Sequence, residues 1–231
     1  MKVLLTNDDG IDAPGLVALE KVFATIADVV VVAPLNPRSG CSHQATTDQP
    51  MRVSELESGR YAISGTPVDC VRLGLSQFAP DTDWVVAGIN QGGNLGIDVY
   101  LSGTVAAARE AAVLRKPAIA FSQYRGPMKQ IDWDLTVILA QRVTRQLLTA
   151  SLDAGAFWNV NFPDMDRQVG TQDIIYCPID TCPLPLQYET KLGQVYYRGD
   201  YHKRQRNAGT DVDICFSGSV SITELRVALS V

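Results

Sequence analysis

Asp8 and Asp9 stand side by side at the end of the apolar run Leu4-Leu5-Thr6, between Asn7 and Gly10. Adjacent carboxylates repel, and burying them unpartnered costs several kcal/mol, so the pair implies a solvated Asp-Gly turn or a bound cation. Further oxygen donors follow the next apolar runs: Ser39 lies in the stretch after residues 29–33, and Asn90 follows residues 84–89. Two carboxylates, a hydroxyl and an amide oxygen suit a hard divalent cation such as magnesium or manganese, with positions left for water and substrate. Each residue alone has a plainer explanation; their convergence carries the reading. With only two histidines and no Cys-x-x-Cys pair among five cysteines, a zinc or copper site is unsupported, and no Gly-x-Ser-x-Gly elbow marks a serine nucleophile.

A second group could hold an anion. Ser102-Gly103-Thr104 precede an alanine-rich stretch of high helix propensity, so free backbone amides and the positive end of the helix dipole would meet a phosphate there. Capping by Ser102 or Thr104 is compatible with that role. Gln91-Gly92-Gly93-Asn94-Leu95-Gly96 adds a glycine-rich connection whose backbone can turn tightly or approach a ligand.

These residues need a frame that brings several chain segments to one edge. Residues 2–6 read as a buried strand and residues 14–26 as a helix, with Leu16, Leu19, Val22, Phe23 and Ile26 at helical spacing. Residues 29–33 are apolar throughout, as in a parallel strand covered on both faces, which completes a βαβ unit with the acidic pair in its first loop. The loop 34–43 is too long for a simple connection. Residues 51–54 and 60–63 suggest a hairpin-like insertion, and Gly65-Thr66-Pro67 opens a helix over 68–78. A strand over 84–89, a helix over 105–114, a strand over 117–122 and an amphipathic helix over 131–150 follow. This is an α/β pattern, in which ligands bind beyond the carboxyl ends of the strands. After residue 150 short β-like pieces replace helical periodicity, at 157–161, 173–176, 194–197 and 220–222, and read as an elaboration on a core of residues 1–150.

The 231 residues carry a net charge of −5 and are 46% hydrophobic, which suits a globular chain and argues against a sequence-independent nucleic-acid binder. The basic run His202-Lys203-Arg204-Gln205-Arg206, near Tyr196, Tyr197 and Tyr201, therefore reads as a solvated loop or subunit contact. No apolar run approaches the roughly 18 residues of a membrane span, and Asn7, Asp8 and Asp9 interrupt the stretch where a signal peptide needs its apolar core. Reduced thiols and a cytoplasmic location are expected, with no nucleic-acid or membrane partner.

Several motifs together resemble the SurE or survival-protein family of metal-dependent nucleotidases. They are Thr6-Asn7-Asp8-Asp9-Gly10, Ala33-Pro34, Arg38-Ser39-Gly40, Gly65-Thr66-Pro67-Val68-Asp69-Cys70-Val71, Gly88-Ile89-Asn90-Gln91-Gly92-Gly93-Asn94-Leu95-Gly96 and Ser102-Gly103-Thr104, with a weaker echo in Thr210-Asp211-Val212-Asp213 and Ser219-Val220-Ser221-Ile222-Thr223. Cys41, His43-Gln44, Ser219 and Glu224 depart from the family pattern. The resemblance implies one domain with a Rossmann-like, three-layer core, a mainly parallel sheet and a β-rich C-terminal elaboration (residues 151–231) used for oligomerisation. It implies phosphate release from nucleoside 5'- and 3'-monophosphates, one divalent cation per subunit on residues matching Asp8, Asp9, Ser39 and Asn90, and homodimers or homotetramers exchanging a C-terminal arm. On this view Asn94, Ser102, Gly103 and Thr104 cradle the phosphoryl oxygens, Asp8 orients or deprotonates the attacking water or itself attacks, and His43 is a secondary candidate for proton transfer. The rivals are a receiver-like signalling domain, which would need an aspartate where Asn90 stands, and a non-catalytic nucleotide-binding module.

Overall fold

Nine strands form one sheet, in which the central strands carry apolar runs covered on both faces while the two edge strands stay largely exposed or half-buried. The structure, a computed structural model, describes residues 1–126, 130–164 and 172–227. In chain order the elements are β1 (Lys2–Thr6), α1 (Pro14–Phe23), β2 (Asp28–Pro34), β3 (Val53–Glu57), β4 (Arg60–Ile63), α2 (Pro67–Leu73), β5 (Trp84–Gln91), α3 (Gly103–Val113), β6 (Ala118–Gln123), α4 (Trp133–Leu147), β7 (Ala156–Phe162), β8 (Ile174–Tyr176), β9 (Tyr188–Lys191), β10 (Gln194–Tyr197), α5 (Asp211–Phe216) and β11 (Val220–Arg226). The sheet order is β3-β4-β2-β1-β5-β6-β7-β11-β8, with β9 and β10 in a separate hairpin. From β4 to β7 the strands run parallel; β3 pairs antiparallel with β4 and β11 antiparallel with β7, while β8 runs parallel to β11.

Alternation along β1 separates the two cores. Val3 and Leu5 point toward α1 and α4, with Leu16, Leu19, Phe23, Leu139 and Val143. Leu4 points the other way, toward α2 and α3, with Val71, Val105, Ala108 and Ala112. Each fully buried Leu or Phe contributes about 1.5–3 kcal/mol, so the three layers hold chiefly through these two apolar contacts.

Several boundaries differ from the sequence expectation for identifiable reasons. α1 stops at Phe23, not near Ile26, because β2 begins at Asp28 in register with Lys2; the Ile26 and Ala27 N–H groups both donate to the Phe23 carbonyl, and Ile26 is 44% exposed. The helix expected over 68–78 is α-helical only to Leu73 and widens into a π-helical turn at Gly74–Phe78. The hairpin β3–β4 is present, but β4 pairs parallel with β2 and so extends the central sheet. The sheet also continues past residue 150, since β7, β8 and β11 join it, whereas β9 and β10 stand apart.

Candidate active site

From β1 the chain builds the sheet in one direction through β2 and β4; from β5 it builds the other way through β6 and β7. The switch point therefore lies between β1 and β5, where open α/β sheets leave a crevice at the carboxyl ends of the strands. Asp8 and Asp9 leave β1 there, Asn90 is the penultimate residue of β5, and the loop after β2 carries Ser39 to the same edge.

Asp8 is 3% exposed, and Asp9 is half-buried. The Thr104 hydroxyl donates to Asp8 Oδ1, and the Gln91 N–H donates to Asp9 Oδ2 at 3.0 Å. The Arg38 N–H donates to the Asp8 carbonyl at 2.7 Å, which seats the chain next to Ser39 against the acidic pair. Among the described residues no basic side chain forms an ion pair with either carboxylate. Burial pushes the Asp8 carboxyl up to about 6; the Thr104 hydrogen bond works against that, and the neighbouring charge of Asp9 adds to it. Burial also raises Asp9, opposed by the Gln91 N–H.

The start of α3 presses directly on this pair. A Cβ on Gly103 would lie 2.8 Å from Asp8 Cβ, 2.9 Å from Asp8 Oδ2 and 2.9 Å from Cys41 Sγ, so only glycine lets the helix N-terminus approach so closely. Ser102 caps α3 by accepting from the Val105 N–H at 3.1 Å. A helix N-terminus attracts anions, yet here it abuts two carboxylates, and a phosphate could join them only with a cation between the negative groups.

The remaining sequence candidates occupy distinct positions. Asn90 is half-buried and donates Nδ2 to the Gly92 carbonyl at 2.8 Å, which leaves Oδ1 as an available acceptor. Ser39 is exposed at the mouth of the crevice. Asn94 is buried and keyed into the sheet: its Nδ2 donates to Ser122 Oγ at 2.8 Å, its N–H to Asn161 Oδ1 at 2.7 Å, and its carbonyl accepts from Asn159 and Asn161 at 2.9 and 3.1 Å. Sequence reading missed these two asparagines, although their alternation within the apolar strand Ala156–Phe162 marks one polar face. Among the described residues no three His, Cys, Asp or Glu side chains converge as a metal cluster, so a cation here would rest on two carboxylates and neutral oxygens.

His43 is engaged by Glu110 on α3 and forms no hydrogen bond with the acidic pair. Its Nε2 lies 2.8 Å from Oε2 of Glu110, a carboxylate on α3 that is 2% exposed and also accepts from Arg72 Nε at 2.5 Å. These hydrogen bonds outweigh the cost of burial and hold Glu110 below the usual carboxylate range. The Thr46 N–H and hydroxyl donate to Asp69 at 2.8 and 2.7 Å, and Asp69 with Thr66 forms the capping box of α2. The long loop is thus moored at Asp8, Glu110 and Asp69. Nor is the basic run 202–206 wholly solvated: Arg204 is buried and pairs with Asp98 at 2.8 Å.

Fold and site together define a doubly wound, three-layer α/β protein whose crevice sets an uncompensated acidic pair against a helix N-terminus. The chain belongs to the survival protein SurE family, whose model matches residues 3–179. A "Putative 5'-nucleotidase" of Synechocystis sp. is 47% identical over 227 residues, 98% of this chain and all of that protein. "5'-nucleotidase SurE" of Legionella pneumophila subsp. pneumophila is 38% identical over 240 residues, covering 100% of this chain and 92% of its own length. The crystal structure of SurE protein from Aquifex aeolicus superposes with a TM-score of 0.89 at 29% identity, covering 100% of this chain and 95% of that one. The fold is therefore α/β with a mostly parallel sheet and extra C-terminal strands. No helix among the described residues is long and apolar enough to cross a membrane.

Proposed function

We propose that this protein is a 5'/3'-nucleotidase, a metal-dependent phosphohydrolase that releases phosphate from nucleoside 5'- and 3'-monophosphates. One observation carries the reading: the N-terminus of α3 and the uncompensated pair Asp8 and Asp9 share one crevice, in a chain whose relatives align over 92–100% of their length and are named 5'-nucleotidases. A receiver-like domain or a non-catalytic module has no comparable support, and Asn90 stands where a receiver needs its aspartate.

The donor set fits one hard divalent cation, magnesium or manganese, held by Asp8, Asp9, Ser39 and Asn90, because among the described residues the carboxylates have no basic side chain as counter-charge. When bound, such a cation neutralises phosphate charge and lowers the pKa of a coordinated water. The N–H groups of Gly103 and Thr104, the Ser102 hydroxyl and Asn94, which is anchored to Ser122 and Asn161, bind the phosphoryl oxygens. Asp8, held by Thr104, orients or deprotonates the water for in-line attack. The five cysteines stand as free thiols, which suits a reducing compartment, and a cytoplasmic site of action belongs to this reading. So does assembly into a homodimer or homotetramer through the C-terminal elaboration, residues 151–231.

The test is phosphate release from nucleoside 5'- and 3'-monophosphates with magnesium, manganese or a chelator. Asp8→Asn and Asp9→Asn should each lose at least about 100-fold in kcat/KM, since the lost charge stabilisation amounts to several kcal/mol at about 1.4 kcal/mol per decade. Circular dichroism should report an unchanged fold. Full turnover in both variants, or in the presence of chelator, would overturn the assignment.

A further inference from the structure

The cradle is held by a turn outside it. The N–H groups of Leu101 and Ser102 donate to the carbonyl of Asp98 at 2.9 and 3.0 Å, within and after the 3-10 turn Gly96–Tyr100. The side chain of Asp98 is in turn gripped from the C-terminal third of the chain. Arg204 Nη1 donates to Asp98 Oδ2 at 2.8 Å and the Tyr201 hydroxyl donates to the same oxygen at 2.6 Å, with the Leu95 N–H at 3.3 Å. Arg204 is 2% exposed and also donates to the Leu95 carbonyl at 3.3 Å. Beside it the buried carboxylate of Asp211 accepts from the Gly96 N–H at 2.7 Å and from the Asp180 N–H at 2.8 Å. At Gly96, with φ of +55°, a Cβ would meet Arg204 Nη2 at 3.0 Å and the Asp180 carbonyl oxygen at 3.1 Å.

The turn therefore sits in a socket whose main gripping residue lies 106 positions downstream of Asp98. We infer that Arg204, assisted by Tyr201, is a positioning residue for phosphate binding: through Asp98 it fixes Ser102 and the start of α3 relative to the acidic pair. The inference rests on residues 102–104 binding phosphate. Its physical basis is the buried ion pair: without the guanidinium, Asp98 keeps a desolvated charge with only the Tyr201 hydroxyl and the long Leu95 N–H contact, and the turn relaxes toward water and carries Ser102 with it. A displacement near 1 Å at a binding group is enough to cost about 100-fold. The turn touches the proposed metal ligands only indirectly, through Thr104 on Asp8 and through Ser42, which donates to the Tyr100 and Leu101 carbonyls, while Asp9 is held by Gln91 of β5 and Asn90 lies on that strand; the effect therefore falls more on phosphate than on the cation.

The test compares Arg204→Met and Tyr201→Phe with the natural chain, measuring KM for a nucleoside monophosphate, Ki for inorganic phosphate and Kd for manganese. Arg204→Met should raise KM and Ki by about tenfold or more while manganese affinity stays within about twofold. Tyr201→Phe, which removes only a hydroxyl and keeps the packing, should move KM and Ki the same way by about threefold. Asp98→Asn combined with Arg204→Met should be no worse than Arg204→Met alone, because the two act as one unit. Unchanged Ki in folded Tyr201→Phe and Arg204→Met, or equal losses of manganese and phosphate affinity, would overturn the inference. A natural chain that neither binds nor releases phosphate would overturn the cradle as well; binding by the natural chain with unaltered variants would sink the Arg204 role alone.

Discussion

At Asp8 stability and function pull in opposite directions. Its carboxyl is pushed up to about 6 from an ordinary 3.8, mainly by burial. Below about pH 4 folded and unfolded chains both hold the proton and nothing is lost. Between about 4 and 6 the unfolded chain ionises first and stability falls, and above about pH 7 the full cost, on the order of 3 kcal/mol, stands. In chelator at about pH 8, Asp8→Asn should therefore unfold on the order of 5–10 °C higher than the natural chain, with the difference vanishing toward pH 4. Manganese should raise the midpoint of the natural chain and not of the variant. Equal or lower stability of Asp8→Asn at pH 8 would show that the site is not strained by its own charge. Asp8, Asp9 and Asn90 were legible because each oxygen donor directly follows a short apolar run that could only be a strand. Asp98 and Arg204 were not, because a turn aspartate and a member of a basic run both read as solvated until the fold joins them.

At the scale of the element, the loop between β2 and β3 decides how well the site is formed. It has no strand or helix of its own, and its order comes from Arg38 on Asp8, His43 on Glu110 and Thr46 on Asp69. His43→Ala should loosen the segment carrying Ser39 and so raise the manganese concentration for half-maximal activity several-fold, while kcat at saturating metal stays within about tenfold. Loss of a true general acid would cost about 10²–10⁴ in kcat at any metal concentration, and such a loss would restore His43 to the chemistry. The loop's length was visible in the sequence, since two prolines and a glycine follow β2 with no periodic pattern. Its moorings were hidden because Glu110, inside an alanine-rich helix, gives no local sign of facing inward. The strands of the core were readable from their continuous apolar runs, whereas the addition of β4 to the sheet depends on a parallel pairing with β2 that no local pattern encodes.

For the whole molecule, the hairpin β9–β10 is the part that one chain leaves unfinished. It belongs to no other sheet, and an isolated two-stranded ribbon is only marginally stable in water. Leu186, Tyr188, Leu192 and Val195 are each more than half exposed, which is an apolar surface of the kind that marks an interface. At its base Arg198 pairs with Glu189 across the two strands, and just beyond it His202 Nδ1 lies 2.8 Å from the Tyr124 hydroxyl, which ties the following turn to the core. A tied base and an apolar tip suit contact with another copy, and the chain should be a homodimer or homotetramer by light scattering at micromolar concentration. Leu192→Glu with Val195→Glu should shift it toward monomer by placing charges in that contact. All the proposed metal and phosphate groups come from one chain, so the monomer should keep metal-dependent phosphate release within a few-fold per subunit. A natural chain that is already monomeric, or a double variant that assembles as before, would remove the hairpin from the interface; a monomer without activity would instead mean that the crevice needs its neighbour to close.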